Sequence, residues 1–338
     1  MTVIILSILF IFLAILLALG YVAYKRTGRG REEYFIAGGK LGSIAVFFTY
    51  MATFISAYGF IGMSVYYYTW GGEWLLYDLP QYSVFIIPLT FIVGLRLFKL
   101  AKMHRFITPV EMIVARMGGW ETATRILVGI LMIFYLYLFY IGIQLIASSS
   151  IFSGLTGGEV PYVFFLLLFG SIAIIYIAIG GMRAVAYTDV FQGIIFVTLG
   201  ISMIIIAFKS MGGALLFQNV AAGPASWIYE RAMPPIYGIT YILFVAPPWG
   251  GTGVPHLWVR FHATKSVRGV YSAGLAAAFA WFVFAIVAPF IGSSLAAIWP
   301  TPPKVAVAEE HVARLFSEWF GPIIASIFML GLVSAAMS

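Results

Sequence analysis

Nine apolar runs divide the chain, at about 3–24, 43–65, 79–98, 126–150, 161–179, 189–208, 237–258, 271–298 and 320–338. Each is close to the roughly 20 residues an α-helix needs to cross about 30 Å of hydrocarbon, and polar connections separate them. The pattern predicts an all-α polytopic membrane protein. A membrane β-barrel would show short alternating segments instead. The first run has no basic residue before it, four soon after it (Lys25, Arg26, Arg29, Arg31), and no small-residue cleavage pattern. It reads as a retained span, not a signal peptide.

Two runs place helix-weakening residues where a crossing helix would have its middle. The second contains ATFISAYGFIGMS, Ala52 to Ser64, in which Gly59 and Gly62 stand with Ser56 and Ser64. The seventh contains VAPPWGGTGVPHLWVRF, Val245 to Phe261, where Pro247, Pro248, Gly250, Gly251, Gly253 and Pro255 cannot all sit in an unbroken helix. Irregular backbone at membrane depth is tolerated only where it lines a cavity or is buried in protein. A lone Gly-x-x-Gly is also what close helix packing uses, but the two interrupted spans lie five apart. Such pairing marks carriers built from inverted repeats, with the binding site at the breaks. A broken helix offers carbonyl oxygens to a small hard cation such as Na⁺, and N–H groups to a carboxylate.

Charge then orients the chain. Only 9% of residues are charged, against about 25% in an average soluble domain. Of the 19 Lys and Arg, 15 fall in the loops after spans one, three, five and seven. That asymmetry predicts those loops in the cytoplasm and the N-terminus outside, in a plasma membrane. The net charge of +7 therefore calls for no nucleic acid; the expected surroundings are the lipid bilayer. The absence of cysteine excludes disulfides and thiolate chemistry, and four scattered histidines form no catalytic or metal cluster, so an enzyme is not expected. Few acids lie within the spans, which weakens a proton relay through buried carboxylates. An ion channel or a proton-coupled carrier of the same fold is the alternative reading.

Five segments, in order, resemble the sodium:solute symporter family, whose members carry proline, pantothenate, monocarboxylates and sugars. They are EYFIAGGKLG (33–42), FISAYGFIGMS (54–64), GGMRAVAYTDVFQ (180–192), GTGVPHLWVRF (251–261) and the terminal SAAMS. The resemblance implies a leucine-transporter-type fold over one domain, 1–338. In it an extra first helix (3–24) precedes two inverted five-helix repeats: a first repeat at 43–208 and an incomplete second at 237–338.

For sodium, the resemblance implies the carbonyls of Ala52, Ile55 and Ala335 and the hydroxyl of Ser338. For substrate it implies Ser56, Tyr58 and Gly59, with Tyr77 and Asp78 opening span three and Trp249 with Gly250 in span seven. Asp78 reads equally as a cap for the helix that begins near Pro80. Pro247, Trp249 and Gly250 stand where sugar carriers use polar and aromatic side chains, which argues against a sugar. Asp189 follows Thr188 at the expected start of span six, where a carboxylate caps free N–H groups; the resemblance adds a role on the cytoplasmic exit path of Na⁺. The expected function is sodium-coupled import of a small amino-acid-like or monocarboxylate solute by alternating access, with Na⁺ as the coupling ion.

Overall fold

The structure is a computed structural model that describes residues 2–75, 87–134, 141–210, 212–230, 239, 255–302 and 304–337. Its elements are α1 (Thr2–Arg26), α2 (Arg31–Ile36), α3 (Ser43–Ala57), a π-helical turn (Tyr58–Gly62), α4 (Met63–Trp70), α5 (Ile87–His104), α6 (Pro109–Val114) and α7 (Glu121–Phe134). Then follow α8 (Gly142–Leu155), α9 (Tyr162–Ser210), α10 (Leu215–Ala222), α11 (Trp227–Glu230), α12 (Pro255–Ala263), α13 (Val267–Ile298) and α14 (Val305–Met337). No strand occurs among the described residues. Three of these helices are long and apolar enough to cross a membrane, Thr2–Arg26, Tyr162–Ile206 and Val267–Ile298. Large apolar side chains on them, such as Ile11, Ile174 and Phe282, remain exposed at 62%, 69% and 66%. Outside a bilayer such faces would be unfavourable, and against lipid they are the expected surface.

Spans five and six of the sequence are both present, but no loop joins them. They form α9, which bends at one residue, Gly181 (φ 57°, ψ −151°). Both arms climb along α1 from that bend. Thr27 donates to the Gly180 carbonyl at 3.3 Å. Higher on α1, Gly20 lies so close to the first arm that a Cβ there would meet the Tyr176 Cβ at 2.9 Å. Phe12 stacks on Phe191 of the second arm, ring centroids 6.1 Å apart. A 45-residue apolar helix is over twice the length that spans a bilayer, so a hairpin is the form that keeps both arms in it.

The connections sort onto two faces, as the alternation of charge predicts. On one face Leu41 bridges Thr264 through backbone hydrogen bonds to its neighbours, Leu41 N–H to the Ala263 carbonyl (3.0 Å) and Lys265 N–H to the Leu41 carbonyl (2.9 Å). Lys102 donates to the Gly39 carbonyl at 3.0 Å, and Arg31 reaches Glu111 at 3.4 Å. The connections after spans one, three and seven thus touch one another. On the other face Gly72 N–H donates to the Ile228 carbonyl at 2.6 Å. Tyr68 donates to the Trp299 carbonyl at 2.9 Å, and the Trp227 indole to the Pro300 carbonyl at 2.6 Å.

Glu33 is the charged centre of the first face. It pairs with Arg183 at 2.9 Å and also with Lys40, so the segments 33–42 and 180–192 are locked together. The hydrogen bond from Lys40, then the charges of Lys40 and Arg183, hold the Glu33 carboxyl below its ordinary value of 4.5. A lowered carboxylate stabilises the fold in full above that value and loses the contribution as pH falls through the lowered one. We expect Glu33→Gln to cost about 1–2 kcal/mol at pH 7. Its thermal melts should shift less than wild type between pH 7 and pH 4; equal shifts would show that the pairs contribute nothing.

Two corrections follow. The expected cap role of Asp189 does not hold, because the helix begins well before it: Asp189 lies about two turns past Gly181, inside the second arm of α9. Residues 305–319, read as a connection, are the helical first part of α14, which turns at Gly321 (φ 71°, ψ 160°), at the start of span nine.

Candidate functional site

The interruption expected in span two is present, in milder form than an unwound gap. Residues Tyr58–Gly62 make a π-helical turn between α3 and α4. In such a turn the i→i+4 ladder is replaced by i→i+5 pairing, so carbonyls lose their usual partners, and these turns recur at functional sites. Gly59 and Gly62 supply the loose backbone that a wider turn needs. Ala52 is buried, Ile55 and Ser56 lie in the last turn of α3, Tyr58 opens the π turn, and Gly59 is buried within it. Ala335 lies in the last turn of α14, which packs against α3, the π turn and α4. The elements expected to share the sodium ion are therefore neighbours. Tyr77, Asp78, Trp249, Gly250 and Ser338 lie outside the described residues.

Polar contacts anchor α3 at successive turns before the interruption. Asp189, fully buried on α9, accepts a hydrogen bond from the Thr49 hydroxyl. The Tyr50 hydroxyl meets Thr90 Oγ1 of α5 at 3.0 Å. Arg260 of α12, 6% exposed, donates to Thr53 Oγ1 at 2.6 Å and to the His256 carbonyl at 2.8 Å. Burying an aspartate and an arginine in apolar surroundings is costly unless each is bonded, so this is the most polar part of the described interior near the break. Sequence reading placed Arg260 at the basic face but missed its partners. The available signal was Thr49 and Thr53, a polar i, i+4 pair on one face of an apolar run.

A separate cavity of about 720 Å³ opens on the opposite face between α8 and the first part of α14, lined by Ser150, Gly157, Glu309, Arg314 and Glu318 among others. Burial raises the Glu309 carboxyl above its ordinary value. None of the predicted site residues lines it.

The fold is that of a leucine-transporter-type membrane protein with a broken core helix. A solved structure of similar architecture is the substrate-bound, outward-open state of a Na⁺-coupled sialic acid symporter, at 20% identity and TM-score 0.77, covering 99% of this chain and 70% of that one. The sequence matches the Sodium:solute symporter family model over residues 34–338. The chain belongs to the sodium:solute symporter family. Among curated relatives it is 26% identical to the sodium/pantothenate symporter of Escherichia coli (strain K12) over 74% of this chain and 52% of the relative. It is 25% identical to the sodium/proline symporter of Staphylococcus aureus (strain JH9) over 76% of this chain and 49% of the relative. The chain thus spans about half the length of these two relatives.

Proposed function

We propose that the chain forms the ion- and solute-binding part of a sodium-coupled symporter that imports a small organic solute across the plasma membrane. The observation that carries this reading is the π turn at Tyr58–Gly62, flanked by α14 and followed toward the basic face by buried Asp189. In this reading the carbonyls of Ala52, Ile55 and Ala335 and the Ser338 hydroxyl hold Na⁺. Ser56, Tyr58, Gly59, Tyr77, Asp78, Trp249 and Gly250 line the solute site, and Asp189 draws the ion toward the cytoplasm. The basic face is cytoplasmic and the N-terminus outside, as the 15 basic residues in its loops favour.

The solute is amino-acid-like or a monocarboxylate. A donor-rich helix break suits a carboxylate, and both relatives named above carry solutes that have one. One Na⁺ crossing ~100 mV supplies about 2.3 kcal/mol, and a tenfold gradient adds about 1.4. Together these sustain an accumulation of a few hundredfold, so one ion suffices for scavenging.

The test is uptake into proteoliposomes under an inward Na⁺ gradient, screened across amino acids and short organic acids. Saturable uptake of one class that collapses when K⁺ replaces Na⁺ is the expected result. Flux that stays linear in solute, or that ignores Na⁺, would overturn the carrier reading.

A further inference from the structure

Gln192 of α9 is completely buried, and among the described residues neither its Oε1 nor its Nε2 has a hydrogen-bond partner. Native proteins rarely leave a buried primary amide unsatisfied, and an unlocated water or ion is a common reason when they do. Its position says which. α3 and the second arm of α9 both rise from the basic face, and Asp189 meets Thr49 there. Gln192, three residues on, lies on the same side of α9 one turn higher. The adjoining Gly193 abuts α3 so closely that a Cβ would meet Phe48 Cδ1 at 2.5 Å and Met51 Cε at 3.2 Å. This turn of α9 therefore faces α3 beside Phe48 and Met51, next to the buried carboxylate and within about one turn of the carbonyls proposed for sodium.

We infer that the Gln192 side-chain carbonyl is a station for the sodium ion between its site at the helix break and Asp189, supplying one oxygen in place of a water the ion has shed. The inference rests on the function proposed above. An amide oxygen suits this task because it replaces hydration without the full charge that would trap the ion.

The test titrates the melting temperature of the purified chain with NaCl at constant ionic strength, balanced with KCl, for wild type, Gln192→Leu and Gln192→Glu. Gln192→Leu keeps much of the volume and removes the oxygen. It should melt no lower than wild type in KCl yet need about tenfold more Na⁺ for half of the shift. Gln192→Glu keeps an oxygen in place and adds charge, and should need about threefold less. A wild type that responds to Na⁺ while Gln192→Leu keeps the same half-saturation would overturn the station and leave the symporter reading intact. A wild type indifferent to Na⁺ would overturn both. Should Gln192→Leu fail to fold, Gln192→Glu decides: tighter Na⁺ response supports the station, and unchanged or weaker response overturns it.

Discussion

Replacing Gly181 by alanine is expected to leave little folded protein. The residue sits at φ 57°, ψ −151°, a region that only glycine occupies without strain. A Cβ there would lie 2.4 Å from the Tyr34 backbone carbonyl oxygen, which cannot move aside as a flexible side-chain tip does. Tyr34 is itself fixed, since its hydroxyl donates to the Ile177 and Ala178 carbonyls at 3.2 Å each. Strain and clash together should cost about 4 kcal/mol or more, at the extreme of single substitutions. Size-exclusion of detergent-solubilised protein, followed by thermal melting, reads the loss. Gly129→Ala is the control: nothing lies within 4 Å of a Cβ there, and alanine is the better helix former. Equal yield and melting temperature for the two variants would mean that α9 does not turn at Gly181.

Asp189→Asn is expected to separate stability from transport. The amide has nearly the same shape and still accepts from Thr49, so the melting temperature in KCl should stay within a few degrees of wild type. What it loses is the negative charge one turn below Gln192. An ionic contact worth roughly 1.5–3 kcal/mol corresponds to a ten- to hundredfold fall in Na⁺-driven turnover. Initial rates of uptake into proteoliposomes, normalised to folded protein, measure it. Unchanged turnover would remove Asp189 from the ion's route and leave it a structural acceptor for Thr49.

The class of fold and the weak point of span two are plain in the sequence, since both are properties of single segments. Apolar length alone picks out the three described helices long enough to cross a membrane, and Gly59 with Gly62 marks where the helix departs from α geometry. What the sequence hides depends on pairing. GGMR at 180–183 looks like a polar loop, and nothing local says that one glycine reverses the chain, because the reason is the Tyr34 carbonyl contributed by a distant segment. Misplacing that boundary made Asp189 a cap. The helix at 305–319 was hidden by its polarity, although Glu310 and Arg314, paired at 2.6 Å with i, i+4 spacing, are the signal of an exposed helix. Gln192 sits in a segment that the family resemblance covers, yet only burial without a partner singles it out.

Equilibrium binding of radiolabelled sodium to the purified chain tests the central claim most directly. The account predicts saturable binding displaced by NaCl but not by KCl, and weakened about tenfold or more when Gly59 and Gly62 are both made alanine to favour a continuous α-helix. Absence of saturable binding, or binding unchanged in the doubly substituted protein, would contradict the assignment of the interrupted helix as the cation site.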